Sequence, residues 1–388
     1  MALKAEAAAV AKGVILLLVL CFFGGNIYPQ DIPESELQVK INSYFDNFGV
    51  IVIYPTVDYT KQISKNTSIS GRYVSDIISA ASMKSNFQVD GLTSATSKKQ
   101  GGGDNTPDEW RNEFGAGIKQ RFSDIIVSLN GSYSTEHDYS SKTGIFNIDI
   151  PFAKKNTVLN VGLTASFDKI FPQVWTWTKD RKTYTASTAF TQIFSKNIIS
   201  QLDASYTEVN GYMLDGYQVV RIVDGNSVRT LEPVEPDKRI RKAVGIRTNI
   251  GITQKTTLQL GYRYYWDTWD VRSHTASAVI SRNFSDVFTG SIELRYYIQS
   301  RAYFFKPAYD LISDLMTVDS KLNSGFSDEV NFKVSLKGKK GSGFLTNENM
   351  QLIGSIGLYQ RHYNSPDWHS DLLNLYATLF SIGMRYHF

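Results

Sequence analysis

The chain has 388 residues, 13% of them aromatic and 20% charged, and its net charge of +4 at pH 7 is too mild to imply a nucleic-acid partner. A single cysteine excludes a disulfide framework and a thiolate metal site within the chain. The 22 Tyr and 22 Phe stand beside 28 Gly while mean hydropathy stays at -0.23, a load that a soluble sheet would hide and a membrane barrel displays as aromatic girdles.

The amino terminus reads as a secretory signal. Lys4 and Lys12 precede an apolar run from Gly13 to Phe23, shorter than the ~20 apolar residues of a spanning helix. Cleavage is expected between Gly25 and Gln30, so residues 1–30 form the signal and 31–388 one barrel domain. Cys21 lies inside the signal behind Leu20, which is bulkier than a lipoprotein peptidase accepts, so no lipid anchor is expected. No cofactor is expected either.

Beyond the signal the chain alternates strands with turns. The first strand is expected over 37–45, and only residues 31–36 precede it, which argues against a plugged, energy-coupled receptor. Ser64-Lys65-Asn66, Ser123-Asp124, Lys154-Lys155-Asn156, Ser195-Lys196-Asn197, Gln254-Lys255 and Ser285-Asp286 read as tight periplasmic turns. Longer connections over 80–108, 211–238, 303–325 and 364–371 read as extracellular loops. Gly101-Gly102-Gly103 in the first of these lacks the Gly-Lys-Ser/Thr of a phosphate loop and reads as plain flexibility. The link opening at Lys337-Gly338-Lys339-Lys340-Gly341, between strands near 330–336 and 352–358, is long for a periplasmic turn.

The strands themselves have a period of two. Ile125, Val127, Leu129 and Tyr133 oppose Ser128, Asn130, Ser132 and Ser134, and Leu258, Leu260, Tyr262, Tyr264 and Trp266 oppose Gln259, Gly261, Arg263, Tyr265 and Asp267. Ile292, Leu294, Tyr296 and Ile298 oppose Glu293, Arg295, Tyr297 and Gln299. In the last strand Phe380, Ile382, Met384, Tyr386 and Phe388 oppose Ser381, Gly383, Arg385 and His387. A soluble sandwich obeys the same parity, but its strands run ~5 to 6 residues, whereas tilted membrane strands need ~9 to 11. The fold expected is therefore all-β: a transmembrane antiparallel barrel of about 16 strands, give or take two, with both termini periplasmic. Tyr386 and the final Phe388 resemble the carboxy-terminal signal that barrel-assembly machinery reads.

The stretch from about 205 to 307 resembles an uncharacterised bacterial family of outer-membrane barrels, a domain of unknown function. The resemblance rests on Gly211-Tyr212 with Tyr217 and Ile222-Val223-Asp224, on Pro236-Asp237-Lys238-Arg239, and on Tyr262-Arg263-Tyr264-Tyr265-Trp266-Asp267 followed by Trp269, Arg272, Ser273, His274 and Thr275. Arg295-Tyr296-Tyr297 with Gln299 and Ala302 continues it, and Asp76-Ile77-Ile78-Ser79-Ala80-Ala81-Ser82 looks like a degraded copy of an upstream motif, with Ala80 where glycine is expected. The resemblance implies a barrel in the outer membrane of a Gram-negative bacterium and carries no activity with it.

Parity assigns Arg111, Glu113, Lys119, Asp149, Asp168, Asp203, Arg247, Arg263, Glu293, Arg295, Glu329, Lys333, Arg361 and Arg385 to the lumen. Mixed signs argue against a strict ion filter and leave at most a weak anion preference. Trp266, Asp267, Trp269, Asp270, Arg272 and His274 form the densest aromatic and charged stretch, read either as interface tryptophans or as a salt-bridged or recognition cluster at the outer rim. His137, His274, His362 and His369 fall near the same end, yet without compact ligand spacing, so no metal is expected. Trp368-His369-Ser370-Asp371 invites a hydrolase reading, but adjacent loop residues seldom build a triad and no enzyme is expected. The function expected is a porin-like channel for small solutes or ions. Its rival is a non-conducting barrel that scaffolds or exports with periplasmic or surface partners. Expected partners are the outer-membrane bilayer, the barrel-assembly machinery and periplasmic proteins.

Overall fold

The computed structural model describes residues 32–79, 109–173, 175–214, 216, 218–224, 227–341, 345–364 and 373–388. The signal segment, the triple glycine and the Trp368–Asp371 stretch lie outside them. Eighteen strands follow one another: β1 (Glu36–Asp46), β2 (Ile51–Ser64), β3 (Thr67–Ser79), β4 (Glu109–Phe122), β5 (Ile125–Thr135), β6 (Tyr139–Phe152), β7 (Thr157–Ile170), β8 (Lys179–Ser195) and β9 (Ile198–Gly211) come first. Then come β10 (Val220–Asp224), β11 (Ser227–Leu231), β12 (Lys238–Thr253), β13 (Thr256–Asp267), β14 (Arg272–Asn283), β15 (Phe288–Gln299), β16 (Gly325–Lys337), β17 (Met350–Tyr363) and β18 (Asn374–His387). β10 and β11 form a separate hairpin, so β9 pairs with β12, and the other sixteen strands close into one antiparallel barrel through β1 and β18.

Register explains why the sequence alternates. One row runs Ile198, Ile250, Leu258, Ile280, Ile292, Phe332, Ile356, Phe380 from β9 to β18. The row beside it, one residue along, runs Thr257, Ser281, Ser291, Lys333, Ser355, Ser381, Asn42, with Ser381 Oγ donating to Asn42 Oδ1 at 2.8 Å. Successive strand residues face opposite sides, so the first row faces outward and the second lines the interior. Large apolar side chains stay open on the outside, with Leu294 51% and Ile382 54% exposed. In water each would forgo roughly 1.5–3 kcal/mol of burial; a bilayer covers the whole belt.

The barrel has two unlike ends. At one, the β2–β3, β8–β9 and β12–β13 turns repeat one device: the hydroxyl of Ser64, Ser195 or Thr253 accepts the backbone N–H two residues on, at 3.1, 3.2 and 3.2 Å. The strand ends Glu36 and His387 sit in register at this same end. The β16–β17 link is the long exception there. At the other end the connections are not uniformly long, as sequence spacing suggested they would be: β1–β2, β5–β6 and β13–β14 are joined by residues 47–50, 136–138 and 268–271.

Two of these short connections share one design. Asp46 Oδ1 accepts from the backbone N–H of Phe48 and Val50, both at 2.9 Å, and Asp267 Oδ1 accepts from Trp269 at 2.8 Å and Val271 at 3.1 Å. The other carboxylate oxygen takes Tyr44 OH at 2.8 Å in one and Tyr265 OH at 2.6 Å in the other. The residue third after each aspartate is left-handed, Gly49 at φ 80° and Asp270 at φ 62°, a conformation that glycine and aspartate tolerate. Short aspartate-closed turns thus take the place of loops at these positions.

Candidate functional site

The lumen residues proposed from parity all lie on the inner face by register, and several neutralise one another across strands. Arg111 of β4 pairs with Asp76 of β3 and reaches Glu136 at 3.9 Å. Arg181 Nε donates to Asp168 Oδ2 at 2.7 Å, with Ser141 Oγ donating to the other oxygen at 2.6 Å. Arg295 meets Glu329 at 3.6 Å, and Arg385 meets Glu36 at 3.2 Å. Asp149 accepts from Asn160 Nδ2. Asp203, Gly245 and Arg263 share one row, and a Cβ at Gly245 would lie 2.6 Å from the Asp203 carboxylate. Glycine there leaves room for the carboxylate to lie across β12 toward the arginine. Glu113, Lys119, Arg247, Glu293, Lys333 and Arg361 face the same interior.

Over one side of the long-loop end, the described residues of 212–237 and 300–324 fold together into a cap. Val234 and Met316 form an antiparallel bridge, and Ile222 and Tyr309 a parallel one. Val220, Ile222, Tyr309, Met316 and Val318 make one small core, and Trp269, Val271, Ala302, Phe304, Phe305 and Leu322 a second. Tyr309 OH donates to Phe304 O at 2.8 Å and accepts from Thr317 N–H at 2.9 Å. The two largest fully buried side chains among the described residues, Phe305 and Met316, therefore sit in the cap rather than in the barrel wall.

The outer-rim stretch is divided by the fold. Asp267, its side chain wholly buried, binds Arg239 through Nε at 2.9 Å and Nη2 at 2.5 Å. The Arg239 guanidinium lies 4.2 Å from the ring centre of Trp269, which is itself buried against Phe304. Asp267 and Trp269 thus tie the barrel rim to the cap. Trp266 and His274 face outward instead, Trp266 stacked on Tyr264 and His274 Nδ1 hydrogen-bonded to Tyr262 OH at 2.7 Å. Asp270 and Arg272 are exposed. Of the two readings of this stretch, the lattice among Asp267, Asp270, Arg272 and His274 is replaced by an Asp267–Arg239 pair, because strand parity turns Asp267 inward and leaves Arg272 and His274 on the outward face with Trp266.

The histidines are likewise apart. His362 faces outward, bonded to Asn374 Oδ1 at 2.7 Å, and is three strands from His274, about 14 Å at ordinary strand spacing. His137 lies in the β5–β6 turn, and His369 lies outside the described residues. No group of three His, Cys, Asp or Glu side chains among the described residues is placed to hold a metal.

Sequence reading missed a cavity of about 390 Å³ beneath the cap, at the top of the lumen. Arg181, Arg239 and Arg241 reach it from the wall, and Glu235 and Lys321 from the cap. Burial pushes the Glu235 carboxyl up to about 7, opposed by its hydrogen bond to Thr317. Parity alone would have put Arg239 and Arg241 inside, since they share a face with Arg247; no sequence signal announced that the cap would close over them.

A model of the family described as a protein of unknown function (DUF3570) matches residues 29–177 and 171–328. The chain belongs to this family. No curated protein matches it. The DUF3570 barrel is similar to a bacterial polysaccharide outer membrane secretin at 8% identity and a TM-score of 0.51, over 92% of this chain and 98% of that one. It also overlaps OpdK of Pseudomonas aeruginosa, solved with vanillate, at 9% identity and TM-score 0.46 over 92% and 98% of the two chains. OmpT of Vibrio cholerae gives 10% identity and 0.44 over 92% and 97%. At such identities likeness concerns fold alone. With its sixteen-strand closure and apolar belt, this DUF3570 protein is an outer-membrane β-barrel.

Proposed function

We propose that this protein is a channel for small solutes or ions, oriented with its short turns and both strand termini in the periplasm and its cap at the cell surface. The observation that carries the reading is the closed sixteen-strand wall with a charged, polar inner face. Barrels of this size leave an aqueous passage that eight-strand barrels fill with side chains. Short turns in the periplasm and longer loops outside are the rule for such proteins. Mutual neutralisation of Arg111 with Asp76, Arg181 with Asp168 and Arg295 with Glu329 favours weak ion selectivity over a filter of one sign.

Single-channel recording of the refolded protein in a planar bilayer under a salt gradient tests this. Discrete steps with a mild anion preference are expected, and replacing residues 212–237 by a short turn is expected to enlarge them, because the cap narrows the entrance. A folded, heat-modifiable barrel that stays silent in both forms would overturn the channel and favour a scaffold.

A further inference from the structure

We propose that the cavity beneath the cap binds a small amphipathic carboxylate, its anionic head on Arg241 and its apolar body against Met213 and Leu322. The inference goes beyond the channel reading and does not require the barrel to conduct. It begins with the use made of each cation. Arg181 gives its Nε to Asp168, and Arg239 gives two donors to Asp267. Arg241, two residues along the same face of β12, points into the same cavity, and its Nε is buried with no hydrogen-bond partner. A buried donor left unmet is unfavourable, and here it lies beside two more arginines and Lys321.

The cavity has little of its own to offer that donor. Asp319 spends Oδ1 on the backbone N–H of Lys321 at 2.9 Å, and Glu235 is bonded to Thr317 and retains its proton to about 7. One guanidinium is therefore in surplus at the lining, and an anion from outside satisfies it with charge-assisted hydrogen bonds. Met213, Leu322 and Val271, which pack together, supply an apolar part of the same lining. A volume of about 390 Å³ lies at the small end of ligand sites. Arg241 with an apolar flank suits an anion that carries a short hydrocarbon body.

The test is isothermal titration of the folded barrel in detergent with sodium hexanoate and, as the uncharged match, hexanamide. Hexanoate is expected to bind saturably at one site per barrel and hexanamide at least tenfold more weakly. Arg241→Gln is expected to weaken hexanoate at least tenfold, and Arg241→Lys to restore part of the loss. Glu235 is faced by Arg239 from β12 and by Tyr309, Asp319 and Lys321 from the cap, so it adds negative charge beside the site as it ionises. Hexanoate affinity should accordingly fall between about pH 6 and pH 8 in the native protein and stay level in Glu235→Gln. Absent saturation, equal affinity for hexanamide, or indifference to Arg241→Gln would each overturn the proposal. The hexanamide comparison and the Glu235→Gln profile decide it even where Arg241→Gln does not fold, and a barrel that binds hexanoate while electrically silent would uphold this site and reject the channel.

Discussion

Asp267 shows how much one side chain can hold at a barrel rim. It closes the β13–β14 turn, receives Tyr265, and neutralises an arginine that is itself stacked on Trp269. Asp267→Ala leaves Arg239 buried without its anion, and a loss of about 3–5 kcal/mol is expected, read as a lower urea midpoint for the folded band. Asp46 makes the same turn and tyrosine bonds, but among the described residues no arginine pairs with it, so Asp46→Ala should cost only about 1–3 kcal/mol. Both motifs stand in the sequence as Tyr44-Phe45-Asp46-Asn47-Phe48-Gly49-Val50 and Tyr265-Trp266-Asp267-Thr268-Trp269-Asp270-Val271. Their similarity and the opposite faces of Trp266 and Asp267 were legible; that the aspartate closes the turn and takes Arg239 followed only from the structure. Glu235 gives the pH dependence at this scale. The fold holds its proton to about 7 against an ordinary 4.5, so its contribution to stability is full below that ordinary value and is lost as pH rises through about 7. Hydrogen-exchange protection in the cap, taken relative to the intrinsic base-catalysed rate, should therefore fall from about pH 5 to pH 8, and Glu235→Gln should abolish that fall.

Among elements, strands and the tight turns at one end were read well, and the connections at the other end were not. A strand's two faces are written every second residue, so Arg263, Glu293 and Arg385 could be placed inside from a few residues of context. The cap had no such local code. Its cores join Val220 and Ile222 to Tyr309 and Met316 across a long stretch of chain, and each half alone looks like an ordinary polar loop with scattered apolar residues. Tyr309 is the joint between them. Tyr309→Phe removes the acceptor of Thr317 N–H and the bond to Phe304 O, an expected loss of ~1–3 kcal/mol confined to the cap. Limited proteolysis should cut residues 300–324 faster in this variant while the barrel remains heat-modifiable.

At the scale of the molecule, strand number and closure followed from segment length and parity, whereas the cavity depended on long-range docking that no single segment encodes. The seam between β1 and β18 has a consequence of its own. Glu36 meets His387 and Asp46 meets Ala377 across nearly the full length of the chain, while every other wall contact except the β9–β12 step joins strands adjacent in sequence. Folding speed declines as contacting residues lie farther apart along the chain, and an unclosed sheet presents two bare edges that invite pairing with other molecules. The hairpins can form one after another, but the belt stays open until its two outermost strands meet. The longer that open state lasts, the longer the bare edges of β1 and β18 stand available to other molecules.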